Sequence, residues 1–439
     1  MLKRTLLLFL ALTPLLFSAQ TVRKMKLDEA IKLGQDQSKS LKLSQSRMAL
    51  SEAKYVELKD MLLPAVNVSA GYARLSDITP FTIQLAPNTA PVTLFPVLVN
   101  NYTSRASVNE SVFNGFRLKN GVLSQQYLLE ASKLDFEKDK SEIIFNIVNA
   151  YYNLYKVQAS RKLIEESLIQ ADERIKEIKN MEGQGLAIHN DVLRAELQRS
   201  NIELSEADVK GNLEIANYNF GVMIGLPEGT LVEIDTLDLF QSRNFKQFPE
   251  YLQASLQKRS DLKAADARKQ AATMNLKVVK GNLLPTVSVG ANYYYANPNP
   301  RYIPPEDAFH STWDIGINLN WNLTSLYTNK HQADEAKTML LQSSVMTDQL
   351  TDAIRMEVNQ DFVNYEQSQR KVEVASRSVK QAEENYRTLQ SKYNNSTALL
   401  SDLLDANVLL IQAKLNMTNA RADAEIAYNH LLKSTGSNQ

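Results

Sequence analysis

The feature that most constrains the fold of this chain is an internal duplication. Residues 63–68 read LPAVNV and residues 284–289 read LPTVSV, at an offset of 221 residues. A second match, EIA at 214–216 and again at 425–427, has an offset of 211 residues, and Gly225 and Gly436 keep that offset. Repeats of this length are duplicated half-domains, not the short units of a solenoid. The chain is therefore expected to use one order of elements twice.

The sequence of each half predicts the same order of elements. They are a helix, a strand that begins at Leu-Pro, a loop, a returning strand, a very long helix, a tight turn and another helix. This order divides the chain into segments. They are 20–62 (first-repeat N-terminal helix), 63–113 (first β-hairpin), 114–225 (first long helical hairpin), 226–250 (linker between the repeats), 251–283 (second-repeat N-terminal helix), 284–323 (second β-hairpin) and 324–439 (second long helical hairpin and C-terminus).

The N-terminus has the pattern of a secretory signal peptide. Lys3 and Arg4 precede an apolar run at 6–17, and the small residues Ser18 and Ala19 follow. This order predicts a signal peptide over 1–19. The sequence contains no cysteine, so it forms no disulfide and lacks the acylated cysteine of a lipoprotein. Beyond the signal, no stretch approaches the ~18 apolar residues of a membrane-crossing helix, which argues against a helical inner-membrane protein.

The clearest strand pattern lies between Trp313 and Leu323, where large apolar residues alternate with polar residues or glycine. Trp313 and Trp321 lie on the same face, ~26 Å apart at ~3.3 Å per residue. With a tilt of ~40° the height between them is ~20 Å, close to the ~25 Å apolar band between the aromatic girdles of an outer-membrane barrel. A strand that covers a soluble core on one face is the alternative interpretation.

Three further segments alternate in the same way. Their apolar positions are Val66, Val68, Ala70 and Tyr72; Ala106, Val108 and Val112; and Val287, Val289, Ala291, Tyr293 and Tyr295. Four strands cannot close a membrane barrel, which needs at least ~8, and an open sheet edge in lipid leaves backbone groups unpaired. If these strands enter a membrane, the chain must therefore form an oligomer.

The helical segments are unusually long, because no proline occurs at 119–226 or after Pro305. Residues 117–182 are predicted to form one helix of ~100 Å at ~1.5 Å per residue. Apolar residues step by three and four along it, as in a coiled-coil seam, at Ile143, Ile147, Ala150, Leu154 and Val157. On this pattern alone, a rod-like bundle protein is as well supported as a channel.

Composition excludes several functions. The 49 basic residues balance 49 acidic ones, and no basic stripe with interleaved aromatics indicates nucleic-acid binding. The four histidines lack the short spacing of metal ligands, and no glycine-rich phosphate loop is present. We therefore expect no enzymatic activity, no cofactor and no metal site.

Asp402 and Asp405 form a candidate site. They are three residues apart, so on a helix they share one face. In a ring of copies they would form two stacked rings of carboxylates, which raise the local cation concentration and repel anions. A solvated helix face is the alternative interpretation. The first repeat differs, with Asp191 followed by Arg194 at the position that corresponds to Asp405.

Taken together, these features resemble the TolC or outer-membrane factor family of efflux and secretion channels. The matching marks are the duplication, both Leu-Pro strand starts, SVFNG at 111–115 and DLLDA at 402–406. The resemblance covers nearly all of the mature chain. It implies a mainly α fold with a membrane β-barrel, in which three chains with four strands each build a twelve-stranded barrel above an α-helical tunnel across the periplasm.

The resemblance also implies functional residues. It places the pore constriction at the helical turns, with Asp402 and Asp405 matching the acidic constriction and Tyr393 matching a gating residue. Ala398 departs from the family, which has an arginine of the gate there. The expected adaptor-docking tips are Gly185, Leu186, Ala187, Ser396 and Thr397, and the expected membrane-interface aromatics are Trp313, Trp321, Tyr72, Tyr293 and Tyr295.

The implied function is a passive exit channel in the outer membrane that extends into the periplasm. Its expected partners are two further copies of the chain, a periplasmic adaptor protein, an inner-membrane transporter and outer-membrane lipid. Drug efflux, metal efflux and type I protein secretion all use such a component. A non-conducting coiled-coil scaffold or adhesin of the envelope is the alternative, and the alternating strands favour the channel.

Overall fold

A computed structural model of the protein describes residues 22–437, apart from 88, 237–239 and 241–245. The predicted signal peptide at 1–19 lies outside the described residues. Among the helices that are described, none combines the length and the apolar character needed to cross a bilayer.

The described residues form strands and helices in an order that repeats. The strands are β1 (Val22–Met25), β2 (Ala65–Arg74), β3 (Thr82–Ile83), β4 (Val92–Thr93), β5 (Asn100–Phe113), β6 (Leu231–Ile234), β7 (Thr286–Asn297) and β8 (His310–Asn320). The helices are α1 (Leu27–Gln37), α2 (Lys39–Asp60), α3 (Arg117–Gly183), α4 (His189–Ile224), α5 (Phe248–Lys258), α6 (Ser260–Gly281), α7 (Ser325–Asn394) and α8 (Leu400–Ser434).

The chain divides into two compact units, which are described separately. Unit 1 comprises the N-terminal part up to Leu43, residues Glu137–Arg259 and the part from Ala353 onward. Unit 2 comprises Ser44–Phe136 and Ser260–Asp352. Each unit therefore contains segments of both repeats.

Two segments that were predicted as single helices are each divided. The first, 20–62, contains β1 and then α1 and α2, of 11 and 22 residues. The second, 251–283, contains α6 of 22 residues and most of the 11-residue α5, which already begins at Phe248 in the predicted linker. Ser38 and Arg259 have extended backbone at the two breaks, with ψ of 114° and 124°. The Ser38 hydroxyl accepts the Leu41 N–H at 3.1 Å, which stabilises the start of α2. The predicted linker, 226–250, contains the strand β6.

Unit 2 contains a four-stranded antiparallel sheet with the strand order β2-β5-β7-β8. Its register aligns Val68, Ala106, Tyr293 and Trp313 in one row, so the apolar positions of the four strands share a face. That face is uncovered: Val68 is 80% exposed. The strand that was predicted to reach residue 323 ends at Asn320.

Backbones approach closely where the returning strand β5 gives way to α3. Gly115 has a φ of +65°, and a Cβ there would lie 2.4 Å from the carbonyl oxygen of Gly281. The reverse also holds, because a Cβ on Gly281 would lie 2.4 Å from the Gly115 carbonyl oxygen. Only glycine fits at both positions. Gly115 is thus explained by the way the chain leaves the sheet.

The core of unit 1 forms where β1, α1, α3 and α4 meet. Tyr151 is fully buried and donates a hydrogen bond to the Met25 carbonyl at 3.0 Å, while its ring packs 6.1 Å from that of Phe220. Gly34 lets α1 approach α3, because a Cβ at Gly34 would lie 2.3 Å from Ile147 Cδ1. These contacts fix the short N-terminal strand and helix against the long helices.

The two-stranded parallel sheet β1·β6 has one edge closed by side chains. Asn217 accepts the Val232 N–H at 2.8 Å and donates to the Thr230 carbonyl at 2.9 Å. Gln158 donates to the Val232 carbonyl at 2.6 Å and accepts the Ile234 N–H at 3.0 Å. Two carboxamides therefore take the place of a third strand along β6.

Candidate functional site

The two long helical hairpins turn in the same way. After α3, the Leu186 N–H donates to the Met181 carbonyl at 2.8 Å, and after α7, the Thr397 N–H donates to the Lys392 carbonyl at 2.8 Å. Each bond closes a Schellman motif around one residue in the left-handed region. That residue is Gly185 in the first turn, with a φ of +73°, and Ser396 in the second, with a φ of +58°.

Apolar side chains stand exposed at both turns. Leu186 is 69% exposed and Ile188 65%, and Leu399 in the second turn is 69% exposed. Ala187 packs against the cluster beneath, whereas Ser396 and Thr397 are exposed. Exposed apolar groups that lie together are typical of protein contact surfaces. The five residues predicted as docking tips therefore lie at two turns of equal geometry, and Ile188 and Leu399 extend the apolar surface.

A small core joins the two hairpins just behind the turns. Ile178 and Val192 of the first hairpin pack with Leu400 of the second, and Tyr393 lies against this cluster. The Tyr393 hydroxyl lies 3.8 Å from Met181 Sδ. The cluster sets the position of one turn relative to the other, so it also sets where the nearby charges lie.

Tyr393 has a partly buried environment with charge on one side. The Arg174 guanidinium lies 5.8 Å from the Tyr393 ring centre, and Arg174 also pairs with Glu177 at 2.6 Å. Burial raises the pKa of the Tyr393 hydroxyl; Glu177 adds to the rise and Arg174 opposes it. Tyr393 therefore stays neutral at physiological pH, and it acts through packing and ring contacts rather than charge. Arg174 was not predicted, because nothing in its local sequence distinguishes it from other helix-surface arginines.

Asp402 and Asp405 lie side by side on an exposed face of α8. Both are exposed, while Leu403 and Ala406 between and beside them are buried. Among the described residues, neither carboxylate has a hydrogen bond or an ion pair. Asp191, the counterpart of Asp402 in the first hairpin, instead accepts the Ile188 N–H at 3.3 Å. The second hairpin therefore presents two neighbouring carboxylates that have no ion pair within the described part of the chain.

The predicted membrane-interface aromatics lie on the uncovered apolar face of the sheet in unit 2. Trp313 faces Tyr293 across β7 and β8, and Trp321 lies just after β8, where its Nε1 donates to the Leu283 carbonyl at 3.1 Å. Tyr72 and Tyr295 belong to the same face. All five are between 45% and 69% exposed.

Two aromatic residues that were not predicted complete a cluster at one end of this face. The Tyr102 ring lies 4.9 Å from Tyr72 and 5.8 Å from Phe309, and Phe309 stacks on Tyr295 at 5.0 Å. Tyr102 could have been found from the sequence, since it continues the alternation of Ala106 and Val108. Phe309 gave no such signal because it precedes its strand. Across the described ranges, no three acidic, histidine or cysteine side chains come together as a metal site.

Comparison with known proteins agrees with this architecture. The model of the family described as "Outer membrane efflux protein" matches residues 30–225 and 251–437. The outer membrane efflux protein BepC of Brucella suis is 22% identical over 332 residues, which cover 75% of this chain and 71% of that protein.

Solved structures of channels are similar over almost the whole chain. The structure of CusC has a TM-score of 0.79 at 16% identity, covering 93% of this chain and 92% of that one. The open state of the MtrE outer membrane channel of Neisseria gonorrhoeae has a TM-score of 0.76 at 16% identity, covering 94% and 89%. At these identities the likeness shows a shared fold.

Proposed function

The chain belongs to the outer membrane efflux protein family, and on that premise we propose that it is the exit channel of a tripartite efflux pump or of a type I secretion system. It is a passive trimeric duct that lies in the outer membrane and extends into the periplasm. A periplasmic adaptor and an inner-membrane pump open it and supply the energy. Its known relatives are channels and not enzymes, which agrees with a duct that carries no catalytic site.

The observation that carries this proposal is the four-stranded sheet with an uncovered apolar face. Ile315, Ile317 and Leu319 are each about two-thirds or more exposed, at 68%, 74% and 68%. An apolar surface of this extent is unfavourable in water and favourable in lipid. The outer strands β2 and β8 each have one edge without a partner strand in the described chain. In lipid such edges must be paired, so several copies have to close the sheet, and three copies give twelve strands.

The aromatic residues support the same orientation. In outer-membrane barrels, tyrosine and tryptophan line both rims of the apolar band. We propose that Trp313, Tyr293, Tyr72 and Tyr295, together with Phe309, face one interface. Trp321, eight residues from Trp313, faces the other.

We assign the pore constriction to the second helical turn. Three copies of Asp402 and Asp405 would form two stacked rings of three carboxylates each, and neither side chain has an ion pair among the described residues. Rings of carboxylates select cations. Tyr393, held between Arg174 and the apolar cluster, would fix the distance of these charges from the pore axis.

We assign adaptor docking to the two turns. Gly185, Leu186 and Ala187 in the first turn and Ser396 and Thr397 in the second present equal backbone geometry. In a trimer, three turns of each kind would alternate around one end. The exposed Leu186 and Leu399 supply the apolar contact that a protein partner would bury.

The decisive experiment compares three properties of the protein purified from outer membranes. We expect extraction only with detergent, heat-modifiable migration on a denaturing gel, and ion conductance in planar bilayers. A coiled-coil scaffold or adhesin would lack conductance. A protein that is released without detergent and runs as a monomer would overturn the proposal.

A further inference from the structure

Two connections between strand and helix form an open groove at one end of the large sheet in unit 2. In the first connection β5 leads into α3, and in the second α6 leads into β7. The groove has a volume of about 320 Å³, and its lining includes Phe116, Lys119, Asn120, Lys277, Lys280 and Leu284. Because β5 and β7 are the inner strands of the sheet, the groove adjoins neither of the edge strands.

The end of the groove nearest the sheet is apolar. The pairing of β5 with β7 shifts between Ser111 and Phe113, and beyond the shift Phe113 pairs with Val287 of the apolar face. The Phe116 ring meets the Phe113 ring edge-on at 5.2 Å, so it continues that face beyond the last strand residue. Phe116 is 55% exposed and Leu284 42%. The groove therefore opens where the apolar band of the sheet ends.

The backbone of Phe116 is strained. Its φ of +62° lies in the left-handed region, which bulky residues rarely adopt. Asn120 stabilises this conformation, because its backbone N–H and its Nδ2 both donate to the Phe116 carbonyl at 2.9 Å. Strain of this kind is concentrated at ligand sites and other functional positions. Here it holds a large ring at the mouth of the groove and not in a core, which indicates a contact with a ligand.

The other end of the groove is basic. Lys119, Lys277 and Lys280 are all exposed, and none of them has an ion pair among the described residues. Lys277 and Lys280 are three residues apart, so they share one face of α6. The sequence has no acidic residue at 111–129 or at 267–305 that could balance these charges. Three positive charges therefore surround the groove.

The corresponding position of the first repeat lacks this cluster. At the offset of 221 residues, Lys59 of α2 corresponds to Lys280, but Val56 stands in place of Lys277. Glu57 and Asp60 are close by in the same helix. A general enrichment of lysine at this end of the sheet would not produce that difference. The cluster is therefore a property of the groove between α3 and α6.

We propose that this groove binds an anionic glycerophospholipid of the leaflet that faces the periplasm. The phosphate lies among the three lysines, each of which binds it as a point charge. The acyl chains run past Phe116 and along the apolar face of the sheet, where both surfaces leave water. This inference rests on the proposed function, which places the sheet in the outer membrane and the helices on its periplasmic side.

The charge of the groove selects the headgroup. A zwitterionic phospholipid carries an ammonium or choline group of its own, which three lysines without acidic partners repel. Phosphatidylglycerol has the same phosphate without that cation. Each basic residue near an anionic lipid is worth about fivefold in affinity, so three contribute roughly 100-fold.

The test measures lipid binding to the full-length protein, purified from outer membranes in a neutral detergent. Native mass spectrometry counts the lipids on the intact oligomer while phosphatidylglycerol or phosphatidylcholine is added. We expect the wild type to bind one phosphatidylglycerol per chain in preference to phosphatidylcholine. The triple variant Lys119→Gln, Lys277→Gln and Lys280→Gln should bind phosphatidylglycerol roughly 100-fold more weakly. Each single substitution should cost about fivefold, which keeps the test decisive if the triple variant does not assemble.

A matched variant removes the same charge outside the groove. Lys54→Gln, Lys59→Gln and Lys330→Gln also replaces three exposed lysines of unit 2, which belong to α2 and α7. Its affinity for phosphatidylglycerol should stay close to that of the wild type.

A further variant separates a lipid from a free phosphate. Phe116→Gly removes the ring and suits the left-handed φ, so the chain should fold. It should bind phosphatidylglycerol more weakly, because the acyl chains lose their contact with the ring. Glycerol 3-phosphate, which carries the phosphate without acyl chains, should not displace the lipid from the wild-type protein at equal concentration.

Several results would overturn the inference. One is a triple variant at the groove that keeps its preference for phosphatidylglycerol, and another is an equal loss by the matched variant. Displacement by glycerol 3-phosphate, with no effect of Phe116→Gly, would show a site for a soluble phosphate. A conducting oligomer that binds no phosphatidylglycerol would contradict this inference alone, whereas release of the wild-type protein from membranes without detergent would contradict the proposed function.

Discussion

The two helical turns share one backbone and carry different side chains. Both close with a bond of 2.8 Å around a left-handed residue. Yet Gly185 in the first turn corresponds to Ser396 in the second, and Glu182 corresponds to Tyr393. The first turn uses its carboxylate Asp191 as a helix cap, whereas Asp402 in the second makes no such bond.

This difference shows that the two turns share one backbone geometry while the chemistry of their side chains differs. In the first hairpin Asp191 is followed by Arg194, so the two charges on that face cancel. In the second hairpin Asp402 and Asp405 are both acidic, so their negative charges sum. A turn that is duplicated needs to keep only its hydrogen bonds and its left-handed residue. The same backbone can therefore carry a charged face and a tyrosine in the second hairpin.

The largest expected effect is a loss of ion selectivity when the charged face of the second hairpin is removed. The double variant Asp402→Ala and Asp405→Ala should lose most of its preference for cations, because six carboxylates would be removed from the proposed trimeric pore. Block by a trivalent cation should disappear with them. Single-channel conductance and reversal potential in planar bilayers, wild type against variant, measure both.

The first hairpin supplies the control for that comparison. Asp191→Ala removes a carboxylate that the Ile188 N–H already engages, so it should change ion selectivity little. If the two variants change selectivity equally, the assignment of the constriction to the second hairpin is wrong.

The next effect concerns the ring of Tyr393. Tyr393→Ala removes a half-buried ring from the cluster with Ile178 and Leu400, and we expect the second turn to open more easily by about 2 kcal/mol, roughly half the cost of truncating a fully buried aromatic. Hydrogen exchange of the amides at 395–399 measures this. Tyr393→Phe keeps the ring and should behave as wild type.

The counterpart Glu182→Ala sharpens the comparison. Among the described residues, the Glu182 carboxylate pairs with the exposed His189 at 2.9 Å, and exposed pairs contribute little. Exchange at the first turn should therefore stay close to wild type. If Tyr393→Ala and Glu182→Ala increase the opening of their turns equally, Tyr393 stabilises its turn no more than Glu182 does.

Substitutions at the two left-handed residues should change the stability of their turns in opposite directions. Gly185→Ala places a Cβ at a φ of +73° and should weaken the first turn by about 1 kcal/mol, although no atom lies near that Cβ. Ser396→Gly relieves the same strain and should stabilise the second turn by about 0.5 kcal/mol, after the greater backbone entropy of glycine is subtracted. Hydrogen exchange at each turn gives the sign, and a shared sign contradicts the prediction.

The smallest effect tests the helix cap. Asp191→Ala should raise the exchange rate at the start of α4 by an amount equivalent to about 0.5 kcal/mol, since the bond to Ile188 is long at 3.3 Å. Asp402→Ala removes no such bond from α8 and should change exchange there less. A larger change in α8 than in α4 would contradict the role assigned to Asp191.

Much of this architecture follows from the sequence, for reasons that particular residues make clear. The alternation around Trp313 predicts a strand and its apolar face because side chains in a strand alternate strictly. The helix breaks at Ser38 and Arg259 were missed because neither position carries proline or glycine. Those breaks depend on packing, as the buried Gly34 against Ile147 illustrates.

The environment of the candidate site was harder to predict. The spacing of Asp402 and Asp405 shows that they share a face, and that follows from the helical period alone. The proximity of Arg174 to Tyr393 does not follow, since the two residues are more than two hundred positions apart and meet only when the hairpins pack. Contacts across repeats are set by tertiary structure, which a local pattern does not encode.

The closed edge of β6 bears on how chains find one another before they are assembled. Gln158 and Asn217 already occupy four backbone groups of that edge. A strand from another molecule would have to displace both carboxamides and would gain hydrogen bonds of the kind it broke. The outer strands β2 and β8 each leave one edge without a partner strand in the described chain, although Arg301 donates to the Trp313 carbonyl of β8 at 2.9 Å. We therefore expect copies of this chain to pair edge to edge through the large sheet and not along β6.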